Sequence, residues 1–176
     1  MRGEATMLGI LALALCAAVA PVRAQMPEDI SPGVYAELEG VEDAGGVIVA
    51  SEVELRHASG PSDQVQGTIA SVDRARRQVT VAGIRVQLLA DAHLMGDAGD
   101  PMAFASVVSG ARVDARGRFE GGVLRARSLE LRSESDDRER EVGLEGRISR
   151  VDRAEGTFRL LGATVRVTPD TSVELD

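Results

Sequence analysis

GRISRVDRAEGTFRLLGATVRV, from Gly146 to Val167, is a blurred copy of GTIASVDRARRQVTVAGIRVQL, from Gly67 to Leu88. A shift of 79 residues lays Val65–Leu94 on Leu144–Val173 without a gap. Nine of the thirty positions are identical, among them Gly67, Val72, Asp73, Arg74 and Gly83. A second pattern also recurs. GVYAELEGVEDAGGVIVASEVEL (Gly33–Leu55) resembles GARVDARGRFEGGVLRARSLEL (Gly110–Leu131), with one residue of difference in the turn. The repeated unit therefore has a front half and a back half, and the chain runs back, front, back, front.

Both halves read as strands. Val34, Ala36 and Leu38 alternate with polar neighbours, as do Ala111, Val113 and Ala115. Period two of this kind marks a strand with one buried face. Gly45-Gly46 and Gly121-Gly122 join two strands of each back half into a hairpin. VQGTIASVD, QVTVAG and IRVQLL give three strands of the front half, turned at DRARR and at Gly83. Pro101 followed by Met102–Val108 predicts one short helix, with proline near its first turn. Three strands, a short helix and two strands are the order of an OB-like barrel. Gly67 lies inside the long first strand, where such a barrel bends.

The expected organisation is all-β. Residues 1–24 form a signal peptide and 25–56 a back-half hairpin; 64–132 make one complete OB-like barrel, 133–141 a charged linker and 142–176 a three-stranded front half. Unpaired strand edges are hazardous, so the flanking halves are expected to meet and close a second, split barrel. The rival expectation is a chain truncated before its last back half.

The N-terminus carries Arg2, the apolar run Met7–Ala20, and small residues Val22 and Ala24 before Gln25. That pattern predicts secretory export with cleavage after Ala24, against the alternative of a retained anchor. No later stretch is apolar enough to span a membrane. The expected location is periplasmic or secreted. Cys16 is the only cysteine, so the mature chain has neither disulfide nor thiolate ligand. Lysine and tryptophan are absent, and the aromatics are Tyr35, Phe104, Phe119 and Phe158. Val, Ile, Leu and Ala must supply the core.

The whole pattern resembles the secreted bacterial family catalogued as domain of unknown function 5666. The likeness lies in the apolar-Gly-x-Ile start, the Val-Asp turn, the Gly before the third strand, DTSV at Asp170–Val173, and LRA at Leu124–Ala126 with IVA at Ile48–Ala50. DAHL at Asp91–Leu94 departs from it at Ala92. The resemblance implies the fold and export, and no catalytic residue.

Charge is distributed unevenly. Residues 25–63 hold one Arg against nine acids, residues 64–132 ten Arg against seven, and residues 133–176 seven Arg against eleven. The complete unit is locally basic inside an acidic protein, whose overall sign argues against non-specific nucleic-acid binding. OB-like barrels bind on strands two and three and on the 1–2 and 4–5 loops. Those places hold Arg74, Arg76 and Arg77; Arg85 and Gln87; and Arg116, Arg118 and Phe119. Arginine grips carboxylate or phosphate as a fork, and a ring stacks on a flat ligand. The competing reading is that these arginines solvate a surface or pair with the acidic flanks.

Catalytic and metal signals are weak. His57 falls in a linker and His93 in the loop after the third strand, and no motif ties either to a nucleophile. DAGD at Asp97–Asp100 offers too few oxygens for calcium. Asp73 and Asp152 recur in step after a strand and read as turn formers. No cofactor and no catalytic residue is expected. The expected role is an exported, non-enzymatic binding module for an anionic polymer or an acidic protein segment. The expected partner is an anionic polymer or an envelope protein, and the alternative role is a structural envelope module with no small ligand, whose charges join its own halves.

Overall fold

The chain alternates buried and exposed residues through eleven strands, and their pairings close two rings. The structure is a computed structural model that describes residues 26–56, 60, 62–132 and 140–176. The strands are β1 (Tyr35–Glu42), β2 (Ile48–Arg56), β3 (Asp63–Asp73), β4 (Gln78–Val81), β5 (Ile84–Met95), β6 (Arg112–Glu120), β7 (Val123–Arg132), β8 (Glu141–Asp152), β9 (Thr157–Leu160), β10 (Ala163–Arg166) and β11 (Ser172–Leu175). The signal-like segment lies outside the described residues, as do His57 and most of the expected 133–141 linker.

The central ring runs β3–β4–β5–β7–β6 and back to β3. Its β5–β7 contact is parallel and the rest are antiparallel. The second ring runs β8–β9–β10–β2–β1 and back to β8. Its one parallel contact within the ring, β10–β2, sits in the equivalent place, and β11 extends it along β2. The back half near the N-terminus and the front half near the C-terminus thus complete one barrel, as the edge argument requires. Antiparallel pairing of β3 with β8 joins the rings.

The core is Val, Ile, Leu and Ala with Phe158, and it fills both rings. Each barrel is plugged by the segment that leads into its back half. Val107 plugs the central barrel and Ile30, its repeat equivalent, the split one; neither is exposed. An arginine of the front half holds each plug. Arg74 Nη2 donates to the carbonyls of Ala105 and Val107 at 3.4 Å. Arg153 donates to those of Pro27, Glu28 and Ile30 at 3.1 Å. The identity of these two arginines in the repeat has a packing cause.

Both hairpins of the back halves carry a bulge at the same place. Pairing slips at Glu39/Gly40 in β1 and at Arg116/Gly117 in β6, leaving Ser51 and Arg127 as the extra residues opposite. Glycine is required there: a Cβ at Gly117 would overlap the Arg125 carbonyl, and one at Gly40 would come within 2.5 Å of the Val49 carbonyl.

Two expectations need correction. The short helix after Pro101 is only a 3-10 turn at Phe104–Ser106, with no buried residue; Pro101 instead bridges to Met95. The segment buries only Val107 fully, with Met102 and Phe104 half-buried against the core, too little for an amphipathic helix. His93 lies within β5 rather than in a loop after it, because β5 bends at a register slip and pairs with β7 again at His93–Met95.

Candidate functional site

Four of the expected ligand contacts are engaged in local structure. Arg74 holds the plug. Arg76 Nη1 pairs with Asp73 at 2.7 Å, and Asp73 Oδ1 also accepts from the Arg76 backbone N–H at 3.0 Å. The Arg76 guanidinium and then this N–H hold the Asp73 carboxyl below the usual range. Asp152 makes the same turn, accepting from the Glu155 N–H at 3.1 Å. Arg77 takes a left-handed conformation (φ 51°) where the other copy has Gly156, and its guanidinium lies 5.8 Å from the Phe104 ring centre. Gln87 closes the turn, donating to the Arg76 carbonyl at 2.6 Å.

Two more are held by contacts within the molecule. Arg116 donates through Nε to Gln64 Oε1 at 3.1 Å and pairs through Nη2 with Asp114 Oδ2 at 3.0 Å. Asp114 is only 3% exposed and also takes Arg132 Nη2 at 3.1 Å. The split barrel repeats this pairing, with Arg56 on Glu37 and on Glu54. Phe119 is half-buried on the core, and its ring lies 3.3 Å from where a Cβ would sit on Gly162 of the other barrel. It is a packing residue rather than a free stacking platform.

Arg85 and Arg118 remain. Both are exposed, and neither has a hydrogen bond or ion pair among the described residues. The structure sets Arg118 directly opposite Arg125, its register partner in β7. Arg127, the bulged residue, is exposed on the same strand. Arg125 and Arg127 also lack a partner among the described residues. Arg116, Arg118, Arg125 and Arg127 line one open groove of about 440 Å³, with Glu120 as the only acid among its described lining residues. Arg85 approaches the adjoining β6–β7 turn, its Nη2 lying 3.8 Å from the Cβ position of Gly122. Arg125 and Arg127 are not among the expected contacts, since they lie on the last strand of the unit rather than in a turn or on the third strand. The signal was present: VLRAR alternates buried Leu124 and Ala126 with outward arginines.

The other copy provides an internal comparison. The positions of Arg116, Arg118, Arg125 and Arg127 are held there by Glu39, Val41, Val49 and Ser51. Val41 and Val49 are register partners just as Arg118 and Arg125 are. The barrel closes with either pair.

Among the described residues, no group of three or more His, Cys, Asp or Glu could hold a metal ion. No helix among them is long and apolar enough to cross a membrane. No curated protein and no solved structure matches the chain. The family described as Domain of unknown function (DUF5666) matches residues 66–130, the central barrel, and again residues 145–176, the front half of the split one. With these two matches spanning more than half of its length, the chain belongs to the DUF5666 family.

Proposed function

We propose that the protein is an exported, non-enzymatic binding module that takes an anionic ligand on the outer face of β6 and β7. The observation that carries this reading is the Arg118–Arg125 pair. Like charges directly opposite on neighbouring strands destabilise a sheet. The same fold accepts Val41 opposite Val49 in its other copy, so the barrel has no need of the arginines. Carboxylate, sulfate or phosphate groups would relieve the repulsion by lying between the two guanidinium forks. Among the described residues no aromatic ring lines the groove, and the reading is one of recognition by charge. Export is inferred from the Met7–Ala20 run and its small-residue boundary.

The structural alternative draws support from the hairpins, where Arg56, Arg116 and Arg132 neutralise acids of the molecule itself. Replacing Arg118 and Arg125 by the other copy's residues separates the two readings. For Arg118→Val with Arg125→Val, the binding reading expects a melting temperature equal to or above the parent's. It also expects loss of the thermal shift produced by an acidic polysaccharide. At a hundred times its dissociation constant, a ligand that binds only the folded state adds about 2.7 kcal/mol. A parent protein that shows no shift with carboxylated, sulfated or phosphorylated polymers would leave the structural reading standing.

A further inference from the structure

The two barrels present the same outer hairpin face with opposite charge. On β6–β7 the exposed charged side chains without a hydrogen bond or ion pair are Arg118, Arg125 and Arg127, with Glu120 as one acid at the end of β6. On β1–β2–β11 they are Glu39, Glu52 and Glu174. Glu39 is the register partner of Glu52, at the repeat position of Arg116 opposite Ser128. Glu174 sits opposite Glu54 in the parallel β11–β2 pair. Glu39 and Glu52 therefore repel without a counter-charge, since Arg56, the nearby base, is already held by Glu37 and Glu54.

Each face also carries exposed apolar surface among its charges. Val41, 44% exposed, follows two residues after Glu39 and so shares its face. Half-exposed Leu89 lines the basic groove. Charges of one sign around an apolar contact, matched by charges of the other sign around another, are the arrangement of complementary partners.

We propose that the basic face of one copy docks on the acidic face of a second, so that the chain associates with itself through β6–β7 against β1–β2. This rests on the reading that the arginine face takes an anionic partner, and it names that partner as a further copy of the chain. The contact joins two different surfaces, so it is head to tail, and each copy keeps one unused face until a ring closes or a filament grows. Association must contend with the net charge of −8, which repels whole copies at long range. The attraction is local and short-ranged.

Charge reversal tests the assignment on the purified protein. Arg118→Glu with Arg125→Glu leaves only acidic faces, and Glu39→Arg with Glu52→Arg leaves only basic ones. All four sites are exposed, so melts of each variant check that folding survives. In sedimentation at about 0.1 M salt, where the Debye length is about 10 Å, the parent should run as two or more copies. At about 1 M salt it should run as one. Each double variant alone should be a monomer, and an equal mixture of the two should associate again. A parent that is monomeric throughout overturns the proposal, and so does association that survives in either double variant alone.

An acidic polysaccharide, added in parallel melts, separates the two readings. If the parent is monomeric yet its melt shifts with the polymer, self-docking falls and the anion face stands. If neither is seen, both fall. The Glu39→Arg, Glu52→Arg variant should keep the polymer shift while losing self-association.

Discussion

Val65 and Leu144 occupy the same position of the repeat, and they are also register partners across the β3–β8 seam. A position that pairs with its own equivalent lies on a two-fold relation. Gln64 opposite Glu145 and Gly143 opposite Gln66 confirm it, since each pair maps onto the other under the 79-residue shift. The two barrels therefore meet as the halves of an isologous dimer would, but within one chain.

That placement makes Leu144 a residue of both barrels. It is 1% exposed, paired with Leu38 on one side and Val65 on the other. Leu144→Ala should cost about 2–5 kcal/mol. Because β8 is a wall of the split barrel and β3 of the central one, the loss should appear as one cooperative transition at lower temperature. Calorimetry that resolves two separate transitions, only one of them shifted, would contradict the shared seam.

The split barrel depends on segments far apart in sequence. Removing residues 26–56 takes away β1 and β2, exposing the edges of β8 and β10 and the core around Phe158. Limited proteolysis should then cut within 141–176 while 63–132 resists. Persistent protection of 141–176 would show that the front half needs no partner.

Most of this architecture was legible in the sequence, because period-two alternation and paired glycines report directly on strands and hairpins. The closure of the split barrel followed from the hazard of free edges. The plugs were not legible. Ile30 and Val107 sit in irregular segments without periodicity, and only their contact with the barrel interior gives them a role. Which arginines are already held by the fold was not legible either. Arginines in turns looked available, but Arg74 and Arg76 are held by backbone carbonyls or by an acid three residues away. Short-range hydrogen bonding of this kind leaves no trace in composition. Arg125 and Arg127 were visible as an alternation but gained meaning only from the register that set Arg118 opposite.

The bulge glycines should be intolerant of substitution. At Gly117 an added methyl overlaps a backbone carbonyl, which cannot rotate away as a side chain would. Gly117→Ala should therefore cost about 3 kcal/mol, at the upper end of overpacking effects. It should also shift β6 against β7 and so displace Arg118 from Arg125. A denaturant midpoint within error of the parent's would show that the bulge relaxes without cost.

Arg125 should trade stability against binding. Arg125→Glu replaces a repulsive cross-strand pair with an attractive one opposite Arg118, at an exposed site. The expected gain is about 0.2–1 kcal/mol, together with loss of any polyanion-induced shift. A variant that is less stable than the parent would mean that Arg125 has a structural partner, and the functional reading of the pair would lose its main support.

Glu145 should give the molecule a pH dependence of unusual sign. It lies at the seam, with Arg56 Nη1 at 3.7 Å and the Tyr35 hydroxyl donating to it at 3.4 Å. Burial, and then the charge of Glu37, push its carboxyl above the usual range, against the opposing pull of Arg56. The folded state thus holds this proton more tightly than the unfolded chain does. Stability from this group is fully present below the ordinary carboxylate pKa and is lost as pH rises through the raised folded value. Asp73 acts in the opposite sense, its depressed carboxyl favouring the folded state as pH rises through the ordinary range. The contribution of Glu145 is therefore isolated by difference. Melting temperatures of the parent and of Glu145→Gln, followed from pH 4 upward, should diverge through that window, with the variant gaining relative to the parent as pH rises. A constant offset between the two curves would show that Glu145 titrates as it does in the unfolded chain, and that Arg56 offsets both its burial and the charge of Glu37.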